Sequence, residues 1–523
     1  MPPQVWVYQF RNDRSGALPG REPRGGGGSV ARQDWNGSLS ISRHASYNLI
    51  GSAIPIALSL ATVPVYLKLV GPDRYGVLAI AWLLLGYFGL FDLGLGRATS
   101  FRIAALRDAP PRARADTFWA ALSVNLGMGL VGGAMLWAAA AYFFGHVFKV
   151  DEHLRPEILT GVPFLAASVP IATLTGVLTG AMQGREKFLE TNSVSVISTT
   201  LFQLFPLFVA WRFGPNLVVL LCAALSARAL AVMVLAYRCH VEITRGHPPT
   251  LASGEISILM KYGGWVTATS IFGPMLVIVD RFAIGAILGA VAVTVYTVPY
   301  QLAQRIAILP ASLTNAMFPK MSAASPDERQ AMADQATLVL AALMSLPVLG
   351  AIFLLGPFLD LWVGPQVGAK AAPVGRILLL AFWANAFALI SFTRLQASGR
   401  PDLVTKVLLI EIPPYFLALY LGMTYLGLAG SAMAFAGRCV VDYALLTWAA
   451  GRRFHGFRIL ALNFVLLVLG AWLSGAYPLT TPIGWAIPAV LGMVTLILGW
   501  LGLPREVRAQ ALQRVGVPRR GLA

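Results

Sequence analysis

Charged residues are scarce in this 523-residue chain: Asp, Glu, Lys and Arg make up 12% of it, whereas 57% is hydrophobic. Soluble domains carry roughly 25% charged residues, so the chain lacks the polar side chains that would cover several globular surfaces. It is also too apolar to remain disordered. The composition therefore predicts an all-α polytopic membrane protein and excludes a soluble multidomain enzyme.

Metal-ligand and catalytic patterns are also missing from the sequence. The three cysteines, Cys222, Cys239 and Cys439, lie in or beside apolar segments, and the six histidines are scattered without metal-ligand spacing. There is no GxxxxGK[ST] phosphate loop, no HExxH motif and no GxSxG with suitable partners. We therefore expect no cofactor, no metal and no catalytic residues, and we do not expect an enzyme.

Long apolar runs dominate what is present. Fourteen segments are long enough to span about 30 Å of hydrocarbon. We expect these helices near residues 46–68, 75–105, 117–144, 159–182, 188–211, 216–237, 258–283, 287–318, 333–356, 373–396, 402–426, 428–450, 457–475 and 483–502.

Basic residues are distributed unevenly between these segments. The chain has 40 Lys and Arg against 23 Asp and Glu, a net charge of +17. With the amino terminus inside, 29 basic residues fall in inner segments and 8 in outer ones, while Arg228, Arg305 and Arg438 lie within helices. Because positive charge collects on the cytoplasmic side, this distribution predicts cytoplasmic termini. It also explains the net charge without a nucleic-acid partner.

A weak internal repeat divides the chain. Its matching pairs are Leu69–Gly71 with Ile287–Gly289, Gly184–Arg185 with Gly399–Arg400, and Arg228 with Arg438. Parallel six-helix halves of this kind commonly enclose a central cavity and alternate access by rocking. We expect a disordered basic cytoplasmic tail at 1–42, six-helix lobes at 43–240 and 258–451 joined by a cytoplasmic linker at 241–257, two extra helices at 452–503 and a second basic tail at 504–523.

Several stretches resemble the polysaccharide-export (PST) branch of the MOP flippase superfamily, the Wzx-type O-antigen and exopolysaccharide repeat-unit flippases. The most specific runs from Gly71-Pro72-Asp73-Arg74-Tyr75-Gly76 to the sequence 88–97, and 279–282 and 296–310 are similar to the family's seventh and eighth helices. The resemblance implies a MATE-like fold in a bacterial inner membrane. It also implies that an oligosaccharide on undecaprenyl pyrophosphate is turned from the inner to the outer leaflet.

The resemblance further implies partners. These are the lipid-linked oligosaccharide and the membrane lipids, with a polysaccharide polymerase and chain-length proteins as candidates. A headgroup made of diphosphate and sugars needs fixed positive charge, hydrogen-bonding groups and aromatic faces along its route. Charges inside membrane helices are costly and usually face a cavity or one another.

The eighth helix carries the strongest candidates for substrate binding. Tyr296, Tyr300 and Gln304 recur at i, i+4 and i+8, and Gln301 is four residues before Arg305. We expect a cavity wall that stacks on and hydrogen-bonds sugars while Arg305 attracts the diphosphate. The alternative is an Arg305 that extends toward the cytoplasm over an interfacial tyrosine.

Four further basic residues lie at the inner ends of expected helices. Arg97 and Arg102 end the second helix, Arg43 precedes the first, and Lys261 begins the seventh. Each could receive the diphosphate from the inner leaflet, or simply anchor its helix by the positive-inside rule.

Acidic residues within the spans have two interpretations each. Asp92, deep in the second helix, could couple transport to a proton or sodium ion, or pair with an arginine or cap backbone amides. Asp280 and Arg281, at the expected outer end of the seventh helix, could form an extracellular gate, although a plain interface pair is favoured.

A buried structural cluster is expected in the second lobe. Arg438 and Asp442 are one turn apart, Glu411 lies within the eleventh span, and Arg228 occupies the position equivalent to Arg438 in the first lobe. An isolated charge would otherwise be left unpaired in the bilayer.

Competing functions remain open at this point. A lipid II flippase or a cation-coupled drug antiporter of the same superfamily is the main alternative, although the intramembrane arginines disfavour cationic drugs. A membrane glycosyltransferase or polymerase would need a long outer loop, and none is expected. A non-transporting scaffold in a polysaccharide assembly complex is a further alternative.

Overall fold

The computed structural model describes residues 30–87, 95–250, 254, 256, 278–451, 456–504 and 507–509, with side chains from residue 57 onward except that of Arg97. The chain divides into two compact units, Met1–Ala53 and Ile54–Ala523. Of the first unit, the helical backbone from Val30 is described. All contacts discussed below lie within the second unit.

The described residues form helices joined by short turns, with no β-strand among them. Short π-helical segments follow α3 and α6, and a 3₁₀ turn separates α8 from α9. The helices are α1 (Val30–Tyr87), α2 (Leu95–Ala105), α3 (Pro111–Tyr142), α4 (Arg155–Gly184), α5 (Phe188–Phe213), α6 (Leu217–Cys239), α7 (278–287), α8 (Ala290–Gln304), α9 (Ile308–Ala323), α10 (Pro326–Val363), α11 (Pro365–Ala397), α12 (Pro401–Ala449), α13 (Phe457–Ala476) and α14 (Pro482–Gly502).

The expected all-α polytopic fold is confirmed. In the described part of the chain, nine helices are long and apolar enough to cross a membrane. The expected spans coincide with helical residues where the structure describes them, but 88–94 of the second span and most of the seventh lie outside the described residues. The first span and the start of the second run together in α1, and two spans run together in α12. Helix α1 begins at Val30, before the expected start at 46.

Glycines in the left-handed region make the sharp turns between adjoining spans. Gly71 (φ 79°) divides α1 and Gly427 (φ 58°) divides α12, while Gly289 (φ 92°) precedes α8. Residues with a Cβ rarely adopt such φ values, which explains glycine at these turns. Gly71 and Gly289 are the first matching pair of the repeat. The second pair differs, because Glu186 rather than Gly184 has positive φ in one lobe, whereas Gly399 does in the other.

Close packing places the second half of α1, after Gly71, against α8. A Cβ on Gly76 would lie 2.0 Å from the carbonyl oxygen of Ala290, so only glycine permits this approach. Beside it, Thr294 Oγ1 donates a hydrogen bond of 2.6 Å to the carbonyl of Pro72. These contacts fix the two helices that carry most of the candidate site.

The segment between α3 and α4 binds the turn between α7 and α8. The Lys149 amide donates to the Gly285 carbonyl at 3.1 Å, and the Ala290 amide donates to the Lys149 carbonyl at 3.2 Å. Lys149 Nζ also donates to the Ile287 carbonyl at 2.8 Å. Both segments lie on the side expected to be outer, so the two expected lobes contact each other there.

Candidate functional site

A cavity of about 250 Å³ lies between α1 and α8 and is also lined from α5 and α7. We call it the Arg305 cavity. It combines guanidinium, amide, hydroxyl and aromatic groups, which are the groups expected around a sugar diphosphate. These groups belong to Ser59, Thr62, Tyr66, Tyr75, Trp82, Gln203, Arg281, Thr297, Tyr300, Gln301 and Arg305.

Arg305 lies where α8 stops being α-helical. The helix ends at Gln304, and Arg305–Ala307 form a 3₁₀ turn before α9 begins. Arg305 Nη2 donates to Ser59 Oγ at 3.0 Å, which holds one edge of the guanidinium against α1. Arg305 Nε is buried and, like the buried hydroxyl of Thr297, has no hydrogen-bond partner among the described residues. The guanidinium therefore retains donor capacity at the cavity.

A second guanidinium is fixed by a carboxylate. Arg281 Nη1 lies 2.7 Å from Asp280 Oδ1, and the side chains are 3% and 1% exposed. Tyr296 donates its hydroxyl hydrogen to the other Asp280 oxygen at 2.9 Å. Because both carboxylate oxygens are bound, Asp280 is a rigid anchor, and it compensates the charge of Arg281.

Tyr300 forms part of the cavity wall and contacts this ion pair. The guanidinium carbon of Arg281 lies 3.7 Å from the centre of its ring. The ring also packs against Phe382 and Phe435, with centroid distances of 5.1 and 5.8 Å. This packing fixes the orientation of the aromatic face beside Arg281.

An aromatic surface from α1 forms the opposite wall. Tyr66 and Trp82 are in edge contact at 4.8 Å, and Tyr75 lies 6.1 Å from Trp82. The Tyr66 hydroxyl donates to the Gln203 carbonyl at 2.8 Å, which joins α1 to α5. Sequence reasoning missed Tyr66, Trp82 and Gln203. The i, i+7 spacing of Tyr75 and Trp82 was the available signal, since it places both on one helix face.

The structure brings together three of the five residues expected on the eighth helix. Tyr300, Gln301 and Arg305 all line the Arg305 cavity. Tyr296 is fully buried behind it, where it binds Asp280, and Gln304 is exposed and lies outside the lining. Of the expected residues, Tyr300, Gln301 and Arg305 therefore line the cavity, whereas Tyr296 and Gln304 of the expected i, i+4, i+8 stripe do not.

The pair Asp280 and Arg281 lies deeper than expected. Helix α7 continues to residue 287, almost two turns beyond Arg281, so the pair is not at the helix end. Both residues are buried within the protein, and their role as an extracellular gate or as an interface pair stays a prediction.

The expected charged cluster of the second lobe is present in part. Arg438 lies 3.8 Å from the buried carboxylate of Glu411, and Asp442 follows one turn later on α12. Arg228 does not repeat this arrangement, because its guanidinium carbon lies 4.5 Å from the centre of the Phe202 ring. Its equivalence to Arg438 does not extend to their contacts.

The remaining candidates are placed only in part. Arg102 is half-buried near the end of α2, away from the Arg305 cavity. The side chains of Arg43 and Arg97, and the whole of Asp92 and Lys261, lie outside the described residues. In the described part of the chain no three His, Cys, Asp or Glu side chains form a group that could hold a metal.

Two relatives resemble most of this chain. One, named "Putative O-antigen transporter" in Shigella flexneri, is 28% identical over 414 residues, which cover 78% of this chain and 97% of the relative. The other, "Uncharacterized membrane protein EpsK" of Bacillus subtilis (strain 168), is 23% identical over 435 residues, which cover 79% and 83% of the two chains.

Solved structures share the fold. The lipid II flippase MurJ in an inward closed conformation matches with a TM-score of 0.66 at 11% identity, over 90% of this chain and 99% of that one. An inward-facing multidrug resistance MATE family transporter of the MOP superfamily matches with a TM-score of 0.59 at 16% identity, over 77% and 97%. At these identities the likeness shows the fold alone, and it confirms the MATE-like architecture.

A match to a protein family covers the part of the chain that contains both walls of the Arg305 cavity. Residues 41–325, more than half of the sequence, match the family described as "Polysaccharide biosynthesis protein". Together with the relatives, this match confirms the resemblance noted in the sequence. The chain belongs to the polysaccharide biosynthesis protein family, in the polysaccharide-export branch of the MOP superfamily.

Proposed function

We propose that this protein is a flippase that moves lipid-linked oligosaccharide repeat units, built on undecaprenyl pyrophosphate, across the bacterial inner membrane for O-antigen or exopolysaccharide synthesis. The observation that supports it most is the lining of the Arg305 cavity. There a guanidinium with free donor capacity, an amide and aromatic faces converge between helices of the two expected lobes. The Shigella flexneri relative's name and the family match point the same way.

Arg305 is assigned to the diphosphate. It makes no ion pair with any described residue, whereas Arg281 is compensated by Asp280. An uncompensated guanidinium in a membrane protein favours an anionic ligand, and its planar donors suit phosphate oxygens. Arg102, Arg97, Arg43 and Lys261 are proposed to attract the same group at the inner leaflet.

The sugars are assigned to the amide and aromatic groups. Gln301 offers both a donor and an acceptor to sugar hydroxyls. Tyr300 from α8 and Trp82 from α1 both line the cavity, and aromatic rings can pack against the C–H faces of a pyranose. The polyprenyl chain stays in the lipid, so the cavity has to accept the headgroup alone.

Movement is proposed to follow alternating access of the two lobes. The contacts of Lys149 with Gly285 and Ile287 would then break and reform in each cycle. We further propose that both termini face the cytoplasm, as the distribution of Lys and Arg predicts. No chemical step on the substrate is needed, so the protein is proposed to be a transporter and not an enzyme. Asp92 is kept as the proposed ion-coupling residue.

A deletion strain tests this proposal. It is complemented with wild type, Arg305→Ala or Gln304→Ala, and the lipid-linked glycan pool is measured by mass spectrometry. Gln304→Ala is the matched control, because this neighbour is exposed and outside the cavity. We expect an undecaprenyl-linked repeat unit to accumulate in the deletion strain and with Arg305→Ala, and to be cleared by wild type and Gln304→Ala. An unchanged pool, or accumulation of lipid II instead, would contradict the proposal.

A further inference from the structure

A second cavity, of about 500 Å³, lies on one face of α4. We call it the Arg228 cavity. Its floor is the α4 stripe Thr175, Gly176, Thr179 and Gln183, whose spacing places all four on one side of the helix. Helix α2 adds Ser100 and Phe101 on one flank, and α6 adds Arg228 on the other.

The lining of this cavity is polar. Three hydroxyls and one amide, from Ser100, Thr175, Thr179 and Gln183, line the same space. The Thr175 hydroxyl donates to the carbonyl of Ile171 at 2.7 Å and so can still accept a hydrogen bond. Hydroxyl and amide groups of this kind match sugar hydroxyls, which both donate and accept.

Arg228 lies over the Phe202 ring at the edge of this cavity. Its guanidinium carbon is 4.5 Å from the centre of that ring. Its Nε is buried without a hydrogen-bond partner, and Arg228 forms no ion pair with any described residue. None of the described residues that line the cavity carries a negative charge. An anionic ligand bound there would compensate the charge of Arg228.

The two cavities are neighbours. Phe202, beneath Arg228, is in edge contact with Trp82 at 6.4 Å, and Trp82 lines the Arg305 cavity. Two aromatic rings thus separate Arg228 from the space assigned to the diphosphate. In a lipid-linked oligosaccharide the groups next to the diphosphate are its sugars, so a neighbouring cavity with hydroxyl and amide groups suits them.

We infer that the Arg228 cavity is a saccharide subsite that selects a sugar bearing a carboxylate, such as a uronic acid, in the repeat unit. The inference rests on the proposed flippase function and adds a substrate class to it. Arg228 pairs with the carboxylate, and Thr179, Ser100 and Gln183 hydrogen-bond the hydroxyls of the same sugar. A neutral repeat unit would leave the guanidinium without a counter-charge while it occupied the cavity.

The experiment compares two probes in vesicles that contain the purified protein. One probe is an undecaprenyl-pyrophosphate-linked trisaccharide with one glucuronic acid, and the other has glucose at that position. The flipping rate is followed by the accessibility of the glycan to a membrane-impermeant reagent. We expect wild type to flip the acidic probe about tenfold faster, the scale of one charge-assisted hydrogen-bonded pair.

Variants of Arg228 show whether the anion that this residue binds is the carboxylate or the diphosphate. Arg228→Gln should bring the ratio of the two rates close to one, while Arg228→Lys, which keeps the charge, should preserve most of the preference. Thr179→Val, which removes a hydroxyl without changing the shape, should slow the acidic probe several-fold. Thermal unfolding in detergent checks that each variant is folded.

Three outcomes would overturn the inference. Wild type could flip both probes equally, Arg228→Gln could retain the preference, or Arg228→Gln could slow both probes by the same factor. The last result would mean that Arg228 serves the diphosphate. If wild type flips neither probe, the proposed flippase function fails as well, so the two failures are distinguishable.

Discussion

Arg281 and Tyr300 form the contact that joins the ion pair of α7 to the Arg305 cavity: the guanidinium carbon lies 3.7 Å from the ring centre. Asp280 holds the same guanidinium at 2.7 Å, and Tyr296 holds Asp280. The arrangement ties α7 to α8 through charge, hydrogen bonding and an aromatic face. Both Arg281 and Tyr300 also line the cavity, so the anchor is part of the candidate binding surface.

Removing the carboxylate of this pair should destabilise the protein. Asp280→Asn leaves a buried guanidinium without a counter-charge, which costs about 3–5 kcal/mol when a buried pair loses one partner. We expect a clear fall in the unfolding temperature in detergent. The double variant Asp280→Asn/Arg281→Gln removes both charges and should recover much of that stability, while flipping stays impaired because the cavity has lost Arg281. Equal melting of wild type and Asp280→Asn would show that the pair contributes nothing.

Gly76 should tolerate no side chain. In Gly76→Ala the new Cβ would lie 2.0 Å from the Ala290 carbonyl oxygen, so α1 has to move away from α8. Forced overpacking of this kind costs about 1–3 kcal/mol. Gly127→Ala in α3 is the matched control, since a Cβ there meets no atom within 4 Å. We expect Gly76→Ala alone to lower the unfolding temperature and the yield of folded protein. A Gly76→Ala variant as stable as the control would contradict this packing.

A disulfide should lock the contact between the α3–α4 segment and the α7–α8 turn. A Cβ on residue 289 would lie 3.8 Å from the Lys149 Cβ, the usual separation in disulfides. We therefore expect Lys149→Cys/Gly289→Cys to cross-link under oxidation in a background with the native cysteines replaced. A Cβ at the φ of residue 289 is strained, so export is compared with that of the Gly289→Cys single variant. If this contact opens during transport, oxidation stops the export of the double variant and reduction restores it to the level of that single variant, while either single cysteine variant shows no effect of oxidant. Normal export by the cross-linked protein would mean that the contact never opens.

Gln301 and Gln304 offer a matched comparison on one helix. Gln301 lines the Arg305 cavity, whereas Gln304, three residues later, is exposed outside it. Gln301→Leu should lower the flipping rate about tenfold, because a polar contact to the headgroup is lost at nearly constant volume. Gln304→Leu should have little effect. Equal effects of the two substitutions on the rate measured in vesicles would remove Gln301 from the site.

The sequence indicated the parts of the site that lie on one helix. Arg305 was noticeable as a charge within an apolar run, and helical spacing linked it to Tyr300 and Gln301. The same periodicity placed Gln304 on the cavity wall, whereas this last residue of α8 is exposed outside the lining, because spacing along one helix cannot show which of its faces the other helices cover. Tyr296 was misassigned for another reason: spacing cannot show that Asp280, on a different helix, takes its hydroxyl.

Groups contributed by other helices could not be found from spacing. Gln203 and Tyr66 meet only because α5 packs on α1, and Phe202 lies beneath Arg228 because α5 also packs on α6. The fold itself was more accessible, because apolar runs and turn glycines such as Gly71 and Gly427 mark membrane helices directly. The depth of Arg281 was misjudged, since nothing in the sequence before Gly289 marks where α7 ends.

Flipping by the purified protein tests the central claim most directly. Wild type, Arg305→Ala and Gln304→Ala are placed in vesicles with an undecaprenyl-pyrophosphate-linked oligosaccharide, and the fraction of glycan in each leaflet is followed with an impermeant reagent. We predict exchange by wild type and Gln304→Ala, and at least a tenfold slower rate with Arg305→Ala, as expected for the loss of a charge-assisted contact to diphosphate. A normal rate with folded Arg305→Ala, or no exchange by wild type, would contradict the proposed function of this cavity.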